Sequence, residues 1–402
     1  MLSVKVDMFQ TVGFTVLLIW IGNYLRAKFG VLKKYCIPAS VVGGLLFAVV
    51  ALILHNSGIA QFSFDKGVIN KFFYCIFFAA AGAAVGLKLL KKGGKLIIIF
   101  TILVAILEIL QNFLAVGVGK LFNIDPLIAL MTGSTPMTGG HGNAAAFAPV
   151  AEAMGATGAM EVALAAATFG LVAGCIVGGP LGKRLVEKYD LKGKFSAEEV
   201  EEMEKESKIK TLVDPKRSML AVSLMFLAIG IGSIFFNLFK VAVPGVKLPI
   251  HVMSMVGGLL VRNFYEKIYG ESPDVFKSVD IIGEISLAMF ITMSIMTMKL
   301  WQLAGLAIPM VVMLICQVIL AYLFVTQLTF RFLGKNYDAA VMSVGHNGFG
   351  LGATPVAMAT MKTVCDEFGY SKLAFFIVPL LGGLICNLTN AVIITSFLNF
   401  YR

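Results

Sequence analysis

Two short stretches hold most of the polar chemistry in this chain of 402 residues. One is Thr138-Gly139-Gly140-His141-Gly142-Asn143. The other is Gly345-His346-Asn347-Gly348-Phe349-Gly350-Leu351-Gly352-Ala353-Thr354-Pro355. Each sets a single His in a glycine-rich run between apolar segments. Pro-Val-Ala ends or follows each run, at Pro149 to Ala151 and Pro355 to Ala357. These residue types suit non-covalent binding. Half-helix N-termini offer N–H groups to an anion, and unwound carbonyls can coordinate a cation. Ser134, Thr135, Thr138, Asn143, Asn347 and Thr354 add further oxygens.

The same residues exclude several other chemistries. His141 and His346 lack a third and fourth ligand at suitable spacing, so no metal centre is expected. The spacing of Gly348, Gly350 and Gly352 is not the dinucleotide fingerprint, and no βαβ unit surrounds it. No nucleophile–base pair marks an enzyme acting on lipid-linked substrates, and no cofactor is expected. The two His rings keep two readings: direct contact with ligand or ion, and a structural bond to a carbonyl bared by a broken helix. Glu108 lies in an apolar run beside Gln111 and Asn112. An intramembrane carboxylate is a functional candidate by default, and a bundle-facing hydrogen bond is its alternative.

The elements that position these residues follow from composition. Hydrophobic residues make up 58% of the chain and charged residues 14%, too few charges to cover a soluble protein of this size. Apolar runs of membrane-spanning length recur near 8–25, 36–54, 72–87, 96–118 and 160–182. A second set lies near 218–238, 247–262, 281–298, 303–330 and 373–397. The glycine-rich stretches fall between spans. Asp125-Pro126 and Asp338 can start short helices that descend to mid-depth. The glycines then open the backbone, and Ala144 to Val150 and Ala353 to Met361 climb back. This predicts re-entrant hairpins over about 125–152 and 338–362, allowed at membrane depth only inside protein or beside a cavity. The six Cys read as packing residues, without metal or redox spacing.

The formal net charge of +10 is mostly topology. If each span crosses once, 25 of the 33 Lys and Arg fall on one side, ten of them in the polar segment 183–217. The positive-inside rule places that segment in the cytoplasm and both termini outside. Nucleic-acid binding is therefore not indicated. The acidic run Glu198 to Glu204 in this linker reads as a solvated tether. Val42-Gly43-Gly44-Leu45-Leu46 recurs as Val256-Gly257-Gly258-Leu259-Leu260, Lys88-Leu89 as Lys299-Leu300, and Gly140-His141 as Gly345-His346. Five spans per half is odd, so the halves must be inverted. The expected units are a first repeat over 1–182, a linker over 183–217 and a second repeat over 218–402. Such paired breaks in inverted halves point to a carrier's binding site.

Gly139-Gly140-His141-Gly142 and the whole second motif resemble the bacterial sodium/glutamate symporters. So do Gly334-Lys335-Asn336-Tyr337-Asp338-Ala339-Ala340-Val341 and Ala166-Ala167-Thr168-Phe169-Gly170-Leu171-Val172 with Gly178-Gly179-Pro180. The resemblance covers nearly the whole chain. It implies an all-α polytopic membrane protein of two inverted repeats. A mobile core would slide against a dimerising scaffold, as in an elevator-type carrier. It implies sodium-coupled symport of L-glutamate at a bacterial inner membrane, with Na+ as coupling ion and a homodimer as assembly. The expected substrate residues are Ser134, Thr135, Gly140, His141, Gly142, Asn143, His346, Asn347, Gly348, Gly350 and Thr354. The expected sodium residues are Thr138, Gly139, Asn143, Gly345, Asn347, Asn387 and Asn390. Asn387 stands where some relatives carry an acidic residue, and Asn390 keeps an oxygen nearby. The alternative is a sodium- or proton-coupled carrier of another small carboxylate, such as citrate or malate.

Overall fold

Backbone in lipid must bond its own N–H and C=O groups, so apolar spans are expected to be helices. The computed structural model describes residues 2–35, 37–84, 94–191, 214–242, 249–301 and 307–401. The acidic run of the linker and the Lys88-Leu89 repeat position lie outside the described residues. Among the described residues, eight helices are long and apolar enough to cross a membrane. They are α1 (Met8–Lys28), α2 (Ala39–Asn56), α4 (Gly94–Leu121), α8 (Ala159–Lys188), α9 (Pro215–Ala242), α11 (Pro273–Met296), α12 (Ala307–Phe332) and α15 (Lys372–Phe400). Two more helices stand beside them. These are α3 (Gly67–Ala83), of 17 apolar residues, and α10 (Ile250–Tyr269), whose end carries Arg262, Glu266 and Lys267. These ten helices match the ten expected spans, with ends shifted by up to eight residues.

The helices segregate into two bundles. One, the scaffold, packs α1, α2 and α3 with α9, α10 and α11. Glycine permits its tightest crossings, because small residues let backbones approach closely. A Cβ on Gly43 would lie 1.9 Å from Leu18 O of α1, and one on Gly257 would lie 2.1 Å from Ala228 O of α9. The neighbouring glycines face the other way, Gly44 onto Ile295 of α11 and Gly258 onto Ala79 of α3. Arg262 ties α10 to α3 by donating to Ala83 O at 3.0 Å, and it pairs with Glu266 at 2.7 Å.

The second bundle, the core, packs α4, α8, α12 and α15 around two helical hairpins. The first hairpin comprises α5 (Pro126–Leu130), α6 (Ser134–Met137) and α7 (Gly140–Glu152). Asp125 caps it as expected, accepting from Leu127 N at 2.8 Å. The second comprises α13 (Tyr337–Leu351) and α14 (Thr354–Phe368), extending beyond the expected 362. Its cap is Asn336, which accepts from Ala339 N at 2.8 Å. Asp338, the expected cap, instead accepts from Ser371 Oγ at 2.5 Å.

The glycines do not open the backbone over the expected lengths. Helix α13 runs through Gly345-His346-Asn347-Gly348-Phe349-Gly350, and the chain breaks only around Gly352 and Ala353. The physical reason is packing. A Cβ on Gly345 would meet Val378 Cγ1 at 2.6 Å and Met361 Sδ at 2.7 Å, and one on Gly348 would meet Ala357 Cα at 2.4 Å. In the first hairpin the breaks fall at 131–133 and 138–139, and helix resumes at Gly140 rather than Ala144.

The helical reading omits one small feature. Strand β1 (Leu2–Val6) pairs in parallel with β2 (Ala60–Phe64), Leu2 opposite Ala60 and Val6 opposite Phe64. This end of the molecule, the ribbon face, also carries Lys66, Thr297 and Lys299. Lys66 Nζ donates to Thr297 Oγ1 at 3.0 Å. Burial lowers the Lys66 pKa below its ordinary value. The open end of the first hairpin lies at this face. Glu161, just beyond it, accepts from Lys299 N at 2.9 Å, a bond from core to scaffold. The open end of the second hairpin lies with the end of α8, where Lys183 pairs with Glu367 at 2.8 Å. That opposite end is the linker face.

Candidate substrate and ion site

The two hairpin tips meet inside the core. Gly140 holds φ +56°, a left-handed conformation suited to glycine, and a Cβ there would lie 2.7 Å from Gly352 O. Both tips lean on a polar strip of α4 formed by Glu108, Gln111 and Asn112, all fully buried. Gln111 Nε2 donates to Gly350 O at 2.7 Å, and Gln111 Oε1 accepts from Thr138 Oγ1 at 2.6 Å. One side chain thus clasps both hairpins. Gln317 of α12 holds that turn of α4 by donating to Gln111 O at 2.7 Å. Asn112 grips Ser134 twice, accepting from its N–H at 3.0 Å and donating to Oγ at 2.8 Å. Asn390 of α15 donates to Ser134 O at 2.8 Å.

Helix α15 reaches this site through a π-helical turn, Leu381–Ile385, directly after Pro379. Such turns recur at functional sites because they rotate the side chains that follow. Here the turn precedes Cys386, Thr389 and Asn390. Glu108 Oε1 accepts from Thr389 Oγ1 at 3.2 Å and from Cys386 Sγ at 3.4 Å. Cys386 Sγ also lies 3.8 Å from Thr138 O.

Several buried polar atoms around these contacts have no hydrogen-bond partner among the described residues. They are both amide atoms of Asn143 and of Asn347, Thr135 Oγ1, Glu108 Oε2, Gln317 Oε1 and Asn390 Oδ1. Leaving a buried polar group unsatisfied costs about 1–3 kcal/mol each. A cluster of such groups beside two helix breaks is organised for something else to bind. The donor set is neutral amides, hydroxyls and carbonyls with one carboxylate. Among the described residues, the buried side chains include no Lys or Arg. Among the described residues, no group of three His, Cys, Asp or Glu could hold a transition metal.

The expected residues divide by location. Ser134, Thr138, Gly350 and Asn390 come together on the α4 strip. Thr135, Asn143 and Asn347 are buried with free polar atoms. Gly139 lies against Asn143, where a Cβ would sit 2.2 Å from its amide nitrogen, and Gly142 faces Phe77 of the scaffold. His141 Nε2 lies 3.0 Å from Thr168 Oγ1. The Thr168 hydroxyl already donates to Leu164 O at 2.9 Å, so the hydrogen-bond pattern makes His141 Nε2 the donor. His346 lies in an aromatic box, 5.2 Å from the Phe100 ring, 5.0 Å from Phe349 and 5.9 Å from Phe324. Its Nδ1 bonds Thr329 Oγ1 at 2.9 Å. Gly345 and Gly348 are packing contacts, and Thr354 starts the returning helix α14. Asn387 donates to Gly383 O of its own helix at 2.8 Å.

The site also contains Gln111, Asn112, Gln317, Cys386 and Thr389, which were not among the expected ligands. The signal for the first two was the polar cluster around Glu108 in an apolar run. Gln317 is a single polar residue in an apolar span, and nothing in its spacing marks it, whereas Thr389 and Cys386 lie beside Asn387 and Asn390 in a short polar stretch.

The sodium/glutamate symporter family model matches residues 4–370. The sodium/glutamate symporter of Escherichia coli (strain K12) is 36% identical over 394 residues, 98% of this chain and 97% of that protein. That of Haemophilus influenzae (strain ATCC 51907 / DSM 11121 / KW20 / Rd) is 34% identical over 398 residues, with the same coverage of each. With helices that suit a multi-pass membrane protein and a match over nearly its whole length, the chain belongs to the sodium/glutamate symporter family.

Proposed function

We propose that this chain carries L-glutamate inward with sodium by alternating access, its core bundle sliding against its scaffold as an elevator. Family membership makes it a transporter rather than an enzyme, with glutamate as cargo and Na+ as coupling ion. The observation that carries the site is the set of unsatisfied buried amides where the hairpin tips meet. In this reading Asn143, Asn347 and Thr135 hold the acid between the hairpins. Thr138, the Gly350 carbonyl, Asn390 and Glu108 offer sodium the oxygens a hard cation prefers. His141 and His346 brace their helices from behind.

Charge explains the coupling. An anion moving into an inside-negative cell is opposed by about 2.3 kcal/mol per charge per 100 mV. Among the described residues, the site has no buried Lys or Arg to neutralise glutamate, so co-bound sodium does so. More than one sodium per glutamate makes the potential drive uptake. The two bundles support the sliding reading, since each takes matching elements from both halves of the chain. The matched glycine crossings, and hairpins open at opposite faces, support inverted repeats over 1–182 and 218–402 with re-entrant hairpins. The reading includes a homodimer formed through the scaffold in a bacterial inner membrane. It places the 183–217 linker in the cytoplasm and both termini outside.

Proteoliposomes test the coupling. An inward sodium gradient should drive labelled glutamate accumulation that collapses when sodium is equal on both sides. Accumulation that ignores sodium would refute the coupling. Stronger competition by citrate or malate than by unlabelled glutamate would favour the hydroxycarboxylate alternative.

A further inference from the structure

His251 is the most conspicuous buried group that the site does not use. It lies in the first turn of α10, on the scaffold side of the seam, and is fully buried. Neither ring nitrogen has a hydrogen-bond partner among the described residues. Its surroundings are rings: Phe78 at 4.5 Å, Tyr74 at 5.4 Å and, across the seam, Phe147 of the first hairpin at 4.7 Å. A Phe would fill this volume without stranding two nitrogens, so an imidazole is costly in this position.

The core holds the complementary group. Asn143 lies four residues before Phe147 in α7, hence on the same helix face and one turn, about 5.4 Å, closer to the tip. It is also fully buried, with donor and acceptor both unpartnered. Helix α7 runs from the tip towards the ribbon face. Moving the core one turn towards that face carries Phe147 past His251 and brings Asn143 level with it. A neutral imidazole offers one donor and one acceptor, and so does the amide.

We propose that His251 is a positioning residue for transport, which hydrogen-bonds the Asn143 amide when the empty core stands at the ribbon-face end of its travel. This rests on the sliding reading given above. A ligand shifts such an equilibrium only through contacts that differ between the states. This pair satisfies two stranded groups in one state and neither in the other. The pairing holds the substrate site open to the ribbon face, and arriving acid takes Asn143 over from His251.

The test compares His251→Phe with His251→Gln in glutamate uptake from the ribbon face. Because bound acid must break this pair, losing it should lower the apparent KM of His251→Phe about tenfold, with kcat changed less. His251→Gln, which keeps a donor and an acceptor, should return KM most of the way to the wild-type value. If His251 only packs, His251→Phe will keep the wild-type KM, and the proposal is overturned. A second measurement survives a folding failure of that variant. Oxidation of the pair His251→Cys with Asn143→Cys in membranes without glutamate should give a cross-link. The pair His251→Cys with Phe147→Cys reports the present register. Cross-linking of the second pair alone would overturn the proposal. Sliding itself is read separately by Glu161→Cys with Lys299→Cys, whose cross-link should stop uptake. Undiminished uptake there would remove the sliding reading, whatever His251 does.

Discussion

Neutral amides carry the binding chemistry at the residue scale, and this gives Asn143 and Asn347 an unusual signature. Each pays a desolvation cost that no protein contact offsets in the described register. Asn347→Ala should therefore leave the thermal stability of the empty protein unchanged or raised. Asn347→Ala and Asn143→Ala should both abolish the stabilisation that sodium and glutamate confer together. Thermal unfolding in detergent with and without ligands checks this. A large loss of stability in empty Asn347→Ala would mean that this amide serves the fold. Sequence alone separates such residues poorly from their neighbours. Asn387 and Asn390 look alike as letters, three apart in one span. In the helix that follows the π-helical turn, Asn390 reaches Ser134 while Asn387 bonds its own helix.

Glycine serves two purposes at the element scale, and they predict different sensitivities. Gly170 of α8 lies against the end of α13, where a Cβ would stand 2.0 Å from Leu351 O. Backbone cannot yield as a side-chain end can, so Gly170→Val should displace the second hairpin and reduce uptake at least about a hundredfold. Gly13→Ala in α1, with nothing within 4 Å, is the matched control and should transport normally. Uptake by Gly170→Val near the wild-type rate would show that the crossing tolerates separation. The spans and both hairpins were legible from apolar runs, from Asp125-Pro126 and from the spacing of the repeated motifs. The helicity of Gly345 to Gly350 was not, because low helix propensity argues for a break there. What overrides it is close contact with Val378, Met361 and Ala357, residues remote enough in sequence that no local pattern announces them. The Glu108, Gln111 and Asn112 cluster was visible as a polar stripe, but its grip on both hairpins is a tertiary fact.

The whole molecule has two chemically distinct ends, and the proposed orientation, which rests on the excess of Lys and Arg, puts the linker face in the cytoplasm. In intact cells, with the native cysteines replaced, Ser63→Cys on the ribbon should react with an impermeant maleimide. Asp366→Cys on the second hairpin should react only after lysis. The reverse pattern would invert the orientation. The ribbon itself bears on how the chain is made. Parallel strands need a crossover, and here that crossover is a pair of membrane helices, α1 and α2. Strand β1 therefore has no partner until Phe64 has followed both helices across the bilayer. The strands can pair only if both insertions have gone the right way. Ribbon pairing is therefore a readout of how α1 and α2 have inserted.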